Sequence, residues 1–190
     1  ADAKDESPGF SGGAQARFTP VGGWAVGGVP QRIPQGLGRP LAAGSDLVVQ
    51  VHFHPSGKAE SETLKLGLYF CKAKPARTLL EFQLPPVFGR LSNIDIPPGM
   101  PEYALADSFV VPAPIELLSV WGHAHMVCSS MRATATLPDG TVRALLTIPH
   151  WDFNWQMRYD FREPILLPAG TRIDAAITYD NSEANSANPN

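Results

Sequence analysis

The sequence predicts an all-β fold, and three observations carry that prediction. There are 19 prolines and 17 glycines in 190 residues, and such frequent punctuation argues against long helices. Several stretches alternate apolar and polar residues with the period of a strand. Helix signals are weak throughout. Apolar residues make up 44% of the chain, enough to bury a sizeable core.

Residues 1–45 are rich in glycine and proline without a regular period. They read as an extended covering segment anchored by Trp24. From Asp46 the pattern changes. In "DLVVQVHFHP", Leu47, Val49 and Val51 face one way, while Val48, Gln50, His52 and His54 face the other. That is a strand. Thr63–Phe70, "TLKLGLYF", is a second, and Arg77–Pro85, "RTLLEFQLP", a third candidate. The cluster Pro97–Pro101 separates two halves, 1–97 and 98–190. In the second half, "IELLSVWGHAHMV" reads as one strand. "SMRATATLPDGTVRALLTIP" reads as a hairpin turning at Pro-Asp-Gly. "REPILLPAGTRIDAAITYDN" gives two more strands. The tail "SEANSANPN" is small and polar, and is expected to be loose.

Charged residues are 17% of the chain and the formal net charge is −3. Neither value points to a nucleic-acid or membrane-surface partner. No apolar run approaches the length of a membrane span. The polar, acidic "ADAKDESPGF" is not a signal peptide. The two cysteines, Cys71 and Cys128, allow at most one disulfide, and whether they are bridged stays open.

The histidines carry the chemical signal. Four of the five fall in two His-x-His units, His52/His54 and His123/His125. On a strand, side chains at i and i+2 leave the same face with their Cα atoms about 7 Å apart. Two imidazoles placed so can converge on one metal ion, or each can be satisfied by a carbonyl. Few carboxylates lie near either unit, so Mg²⁺ and Ca²⁺ are poor fits. Cysteine is too sparse for a closed structural zinc site. A thioether near imidazoles favours copper. Gln50 shares the strand face of His52 and can orient water or substrate. His150 sits among Trp151, Phe153 and Trp155 and reads as a packed polar residue. Met126 and Met131 read as core. No nucleophile elbow, phosphate loop or Cys-x-x-Cys is present.

The ordered set "LVVQVHFHP", "GHAHM" and "WDFNWQ…LPAGTRI…YDNS" resembles the copper type II, ascorbate-dependent monooxygenases. These are the group of the peptidylglycine α-hydroxylating and dopamine β-monooxygenases, and the likeness to bacterial members is the strongest. It covers nearly the whole chain. The resemblance implies two successive jelly-roll domains, each holding one copper. One copper passes electrons and the other activates O₂ for C–H hydroxylation of a small organic substrate. It implies His52 as a ligand of the electron-transfer copper, with Gln50 beside it. It implies His123 and His125 as ligands of the oxygen-activating copper, with His54 left open as a further ligand. It also implies ascorbate as reductant and an extracytoplasmic, periplasmic or secreted location.

The pattern departs from the family in three places. No histidine precedes His52, the methionine expected after the second histidine unit is not reached, and Trp121 stands where peptide-processing relatives carry a carboxylate-gripping arginine. The expectation is therefore a central fragment. The first jelly roll, within 1–97, would be incomplete. The second, 98–190, would lack its last strands. Two other readings remain: a cupin-like mononuclear metal enzyme using "HFHPSGKAE" with Glu60, and a non-catalytic jelly-roll module with Trp151 and Trp155 as a sugar platform.

Overall fold

The computed structural model of the chain describes residues 21–25, 27–29, 32–51, 56–85 and 94–189. His52 and His54 lie outside the described residues. The chain divides into two compact units: Ala1–Gly23 with Ile33–Leu79, and Trp24–Arg32 with Leu80–Asn190. Among the described residues every regular element is a strand, so the fold is all-β.

The first unit holds one small parallel pairing, β1 (Leu37–Gly38) with β2 (Arg77–Thr78). Leu37 is buried. A Cβ on Gly38 would lie 2.8 Å from Pro75 Cγ and 3.1 Å from Cys71 Sγ. The strands expected over Asp46–Pro55 and Thr63–Phe70 do not form in the described residues 46–51 and 63–70. The third candidate shrinks to β2. Alternation satisfies only one face of a strand; its N–H and C=O groups also need a partner strand. None pairs with these segments among the described residues. Both parities stay open to solvent: Val48 is 50% and Val49 56% exposed.

The second unit is a sandwich of two antiparallel sheets. One has four strands in the order β3 (Tyr103–Val110), β8 (Arg172–Tyr179), β5 (Cys128–Thr136), β6 (Val142–Ile148). The other pairs β4 (Ile115–Trp121) with β7 (Arg158–Leu167). β3 shows the period-2 burial expected of a half-buried strand, with Tyr103, Leu105 and Phe109 turned inward. The core joins Ala135, Leu145 and Ile173 of the first sheet to Leu167 of the second, with Val111 between strands. Ile115, Leu117, Phe161 and Ile165 complete the contribution of the smaller sheet.

The β5–β6 hairpin forms as the sequence predicts. Gly140 takes φ +85°, a conformation that glycine adopts without strain. Leu137 N–H donates to Thr141 O at 2.8 Å, and Asp139 Oδ1 accepts from Thr141 N–H at 2.8 Å. The bond from Thr141 N–H, with that from the Thr141 side chain, holds the Asp139 carboxyl below its usual range. β7 and β8 also form, but they do not pair with each other. The turn at Gly170 (φ +83°) carries the chain from the two-stranded sheet to the four-stranded one. Gly170 N–H donates to Val111 O, and Val111 N–H to Thr171 O, both at 2.8 Å.

Two further expectations are corrected. Trp24 is 71% exposed and is no buried anchor; its Nε1–H donates to Gly28 O at 2.8 Å. The Asn-rich tail is tied down rather than loose. Asn185 Nδ2–H donates to Asp180 O at 2.7 Å, and Asn188 Nδ2–H to Asn181 Oδ1 at 3.1 Å. Side-chain amides here satisfy the backbone carbonyls of a segment with no strand partner.

Candidate metal centre

β4 ends at Trp121, so His123 and His125 lie just beyond the strand that was expected to carry them. Gly122 lies at this exit, packed against the sheet. It is buried, and a Cβ there would lie 2.8 Å from Met131 Sδ. The alternation survives the loss of the ladder. Ala124 is 6% exposed and packs in a second cluster with Cys128 and Met131, backed by Ile148, Trp151 and Ile177. That buried methyl holds the segment down, while His123 and His125 on either side of it are exposed. Cys128 N–H then donates to His125 O at 3.1 Å, closing a turn. Met126 sits in that turn and is 38% exposed, so it is not core. Met131 is core, 5% exposed.

The two imidazole centroids are 5.7 Å apart with planes at 89°. With a metal–nitrogen bond of about 2.0–2.1 Å and roughly 1.1 Å from nitrogen to ring centre, imidazoles on one ion have centroids at most about 6.4 Å apart. The observed spacing fits one shared ion with a wide N–metal–N angle. Aromatic rings flank the pair. Trp121 lies 6.2 Å from His123, and Phe153 lies 6.3 Å from His125. Among the described residues no three His, Cys, Asp or Glu side chains come together as a closed metal site. The pair would leave most of an ion's coordination positions open to water, substrate or further ligands.

A residue that sequence reasoning passed over completes the site. Gln156 is 5% exposed, and its Oε1 lies 2.6 Å from His123 Nδ1. The 149–157 loop is wound to deliver it. Asp152 Oδ1 accepts from Asn154 N–H at 2.8 Å, Trp155 N–H donates to Asp152 O at 3.0 Å, and Gln156 Nε2–H donates to Phe153 O at 2.8 Å. The Asp-x-Asn spacing in "WDFNWQ" is a turn signal that could have located the loop. Nothing local could show that its glutamine meets a histidine 33 residues away.

The other candidates fall elsewhere. Gln50 belongs to the first unit and is exposed. Glu60 is exposed and engaged by Ser56 Oγ at 2.7 Å and Lys58 Nζ at 3.1 Å, which lowers its pKa. His150 is exposed rather than packed; it lines a groove of about 700 Å³ with Met126, Trp151, Asp180 and Asn185. Neither cysteine is bridged, and burial pushes the Cys128 thiol up to about 12. Among the described residues no helix is long and apolar enough to cross a membrane. No protein-family model matches the chain, and no curated protein matches it.

Proposed function

We propose that His123 and His125 form the oxygen-activating half-site of a copper-dependent monooxygenase that hydroxylates a C–H bond of a small organic substrate. The observation that carries this reading is the pair of exposed imidazoles 5.7 Å apart, held over the buried Ala124. Imidazoles with open positions suit copper, and a nearby soft ligand would favour its reduced state. Copper bound there would supply the one-electron chemistry of the overall conversion, R–H + O₂ + 2 e⁻ + 2 H⁺ to R–OH + H₂O, with ascorbate or another reductant as the electron source. The chain's own residues would bind and orient. His123 and His125 would hold the ion, Gln156 would hold His123, and the exposed indole of Trp121 would form one wall of the substrate approach. His52, with Gln50 near it in sequence and His54 as a further candidate ligand, would serve the electron-transfer copper. Two jelly-roll domains and an extracytoplasmic location belong to the same proposal.

The test is a Cu(II) titration of the metal-free chain, followed by EPR and tryptophan fluorescence. The expected result is a bound copper with nitrogen hyperfine structure, lost in His123→Ala and in His125→Ala and kept in His150→Ala. Trp121, 6.2 Å from His123, should account for most of the quenching on binding. Trp121→Phe should remove that part of the signal without removing the copper. Copper binding that is indifferent to both His123→Ala and His125→Ala would refute the assignment.

A further inference from the structure

We infer that Gln156 is a positioning residue that fixes which nitrogen of His123 carries the proton, leaving Nε2 as the ring's ligating atom. The tautomer half of this inference stands on hydrogen bonding alone, and the metal half rests on the copper reading above.

The two ends of an amide are hard to tell apart by shape, and the surrounding bonds must assign them. Here they do. One end of the Gln156 amide lies 2.8 Å from Phe153 O. A carbonyl oxygen only accepts, so that end is the NH₂ group. The other end, 2.6 Å from His123 Nδ1, is therefore the amide oxygen. Two acceptors cannot bond, so Nδ1 bears the hydrogen and donates it. A neutral imidazole has one N–H and one lone pair, and the lone pair must then sit on Nε2. Reversing the amide would set oxygen against oxygen at Phe153 in a side chain that is 5% exposed, where water cannot relieve the mismatch.

The same bond limits rotation of an exposed ring. His123 stands on an irregular segment beyond β4, with solvent on one side, and an imidazole there would otherwise sample several orientations. The anchor comes from the loop wound about Asp152, so ring and loop are held together. No corresponding hydrogen bond anchors the ring of His125 among the described residues. The control is therefore specific to one of the two histidines. Outer partners of this kind orient metal-binding histidines and raise their basicity, and losing one weakens metal binding about 10–100-fold.

The first experiment needs neither metal nor variant. Long-range ¹H–¹⁵N correlation spectra of the metal-free chain at pH 8 should show His123 as the Nδ1–H tautomer. An Nε2–H pattern in the wild-type chain would overturn the inference. Gln156→Met removes the acceptor and should release His123 to a mixture of tautomers, with His125 unchanged. Gln156→Glu keeps an acceptor for Nδ1–H but loses the donor to Phe153 O, so it should keep the tautomer at a cost in loop stability. Cu(II) affinity should fall about 10–100-fold in Gln156→Met and by less in Gln156→Glu, which keeps the acceptor for His123. A folded Gln156→Met chain with His123 still wholly Nδ1–H would overturn the role of Gln156. Should Gln156→Met fail to fold, the wild-type and Gln156→Glu spectra still decide. An Nδ1–H tautomer in a chain that binds no copper would support the positioning role and sink the metal half together with the copper reading.

Discussion

Leu166 and Leu167 are neighbours on β7, chemically identical and oppositely placed. Leu167 is 0% exposed and Leu166 is 60% exposed. Truncating each to alanine isolates what burial contributes. Leu167→Ala removes three carbon atoms from the core shared by the two sheets, a transfer loss of about 2.4 kcal/mol at roughly 0.8 kcal/mol per buried carbon group. The cavity adds to that. Its walls, Ala135, Leu145 and Ile173, belong to strands of the four-stranded sheet. Backbone ladders hold them, so collapse into the void is limited. The expected total is about 3–5 kcal/mol. Leu166→Ala should cost less than about 0.5 kcal/mol, as exposed substitutions do. At roughly 4 °C per kcal/mol for a unit of this size, Tm should fall by about 12–20 °C in the first variant and by about 2 °C or less in the second. Paired thermal and urea unfolding curves measure both. Equal losses, or a larger loss at Leu166, would mean that β7 faces the other way and that the sandwich is wrongly assembled.

The glycine turns allow a second paired test. Gly27 and Gly170 have nearly the same φ, +82° and +83°, so alanine costs each roughly 1 kcal/mol in backbone strain. At Gly27 the new Cβ would also meet Asn154 O at 2.6 Å, whereas at Gly170 the nearest atom is Pro138 Cγ at 3.6 Å. Gly27→Ala should therefore lose about 1–3 kcal/mol more in urea titrations, and equal losses would refute the contact. Cys128 predicts a chemical contrast. With its thiol pushed up to about 12, only about one molecule in ten thousand is thiolate at pH 8, so alkylation of the folded chain should label exposed Cys71 and spare Cys128. Two labels per folded chain at that pH would contradict the burial. The sign of the stability effect follows from the same shift. Its folded pKa lies above the unfolded value of about 8.5–9, so its contribution is complete below about pH 9 and is lost as pH rises toward 12. The urea midpoint of the wild type should fall across that window by more than that of Cys128→Ala.

Several elements were legible because the signals that make them are local. Pro-Asp-Gly, with a glycine free to take positive φ, sets the β5–β6 hairpin wherever the chain happens to be. The histidine unit at 123 and 125 was legible as a same-face pair, and it remains one outside the ladder because Ala124 is small enough to bury between them. The readings that failed depended on a distant partner or on a turn that parity does not show. Alternation over residues 46–51 and 63–70 looked like strands, but a strand exists only where another edge accepts its hydrogen bonds. Met126 looked like core by parity, yet the Cys128–His125 bond turns its segment outward.

From sequence alone came the all-β class, the hairpin turn, the strands of the second unit other than β3, and the pairing of histidines by twos. Those features rest on side-chain period and backbone preference, which act over a few residues. Tertiary structure alone decided that β7 and β8, joined by one short turn, serve different sheets. It alone exposed His150, and it alone set Gln156 against His123. These outcomes depend on which surfaces bury one another and which acceptor lies within reach of which donor. Such choices are made across dozens of residues, where local pattern carries no information about the partner.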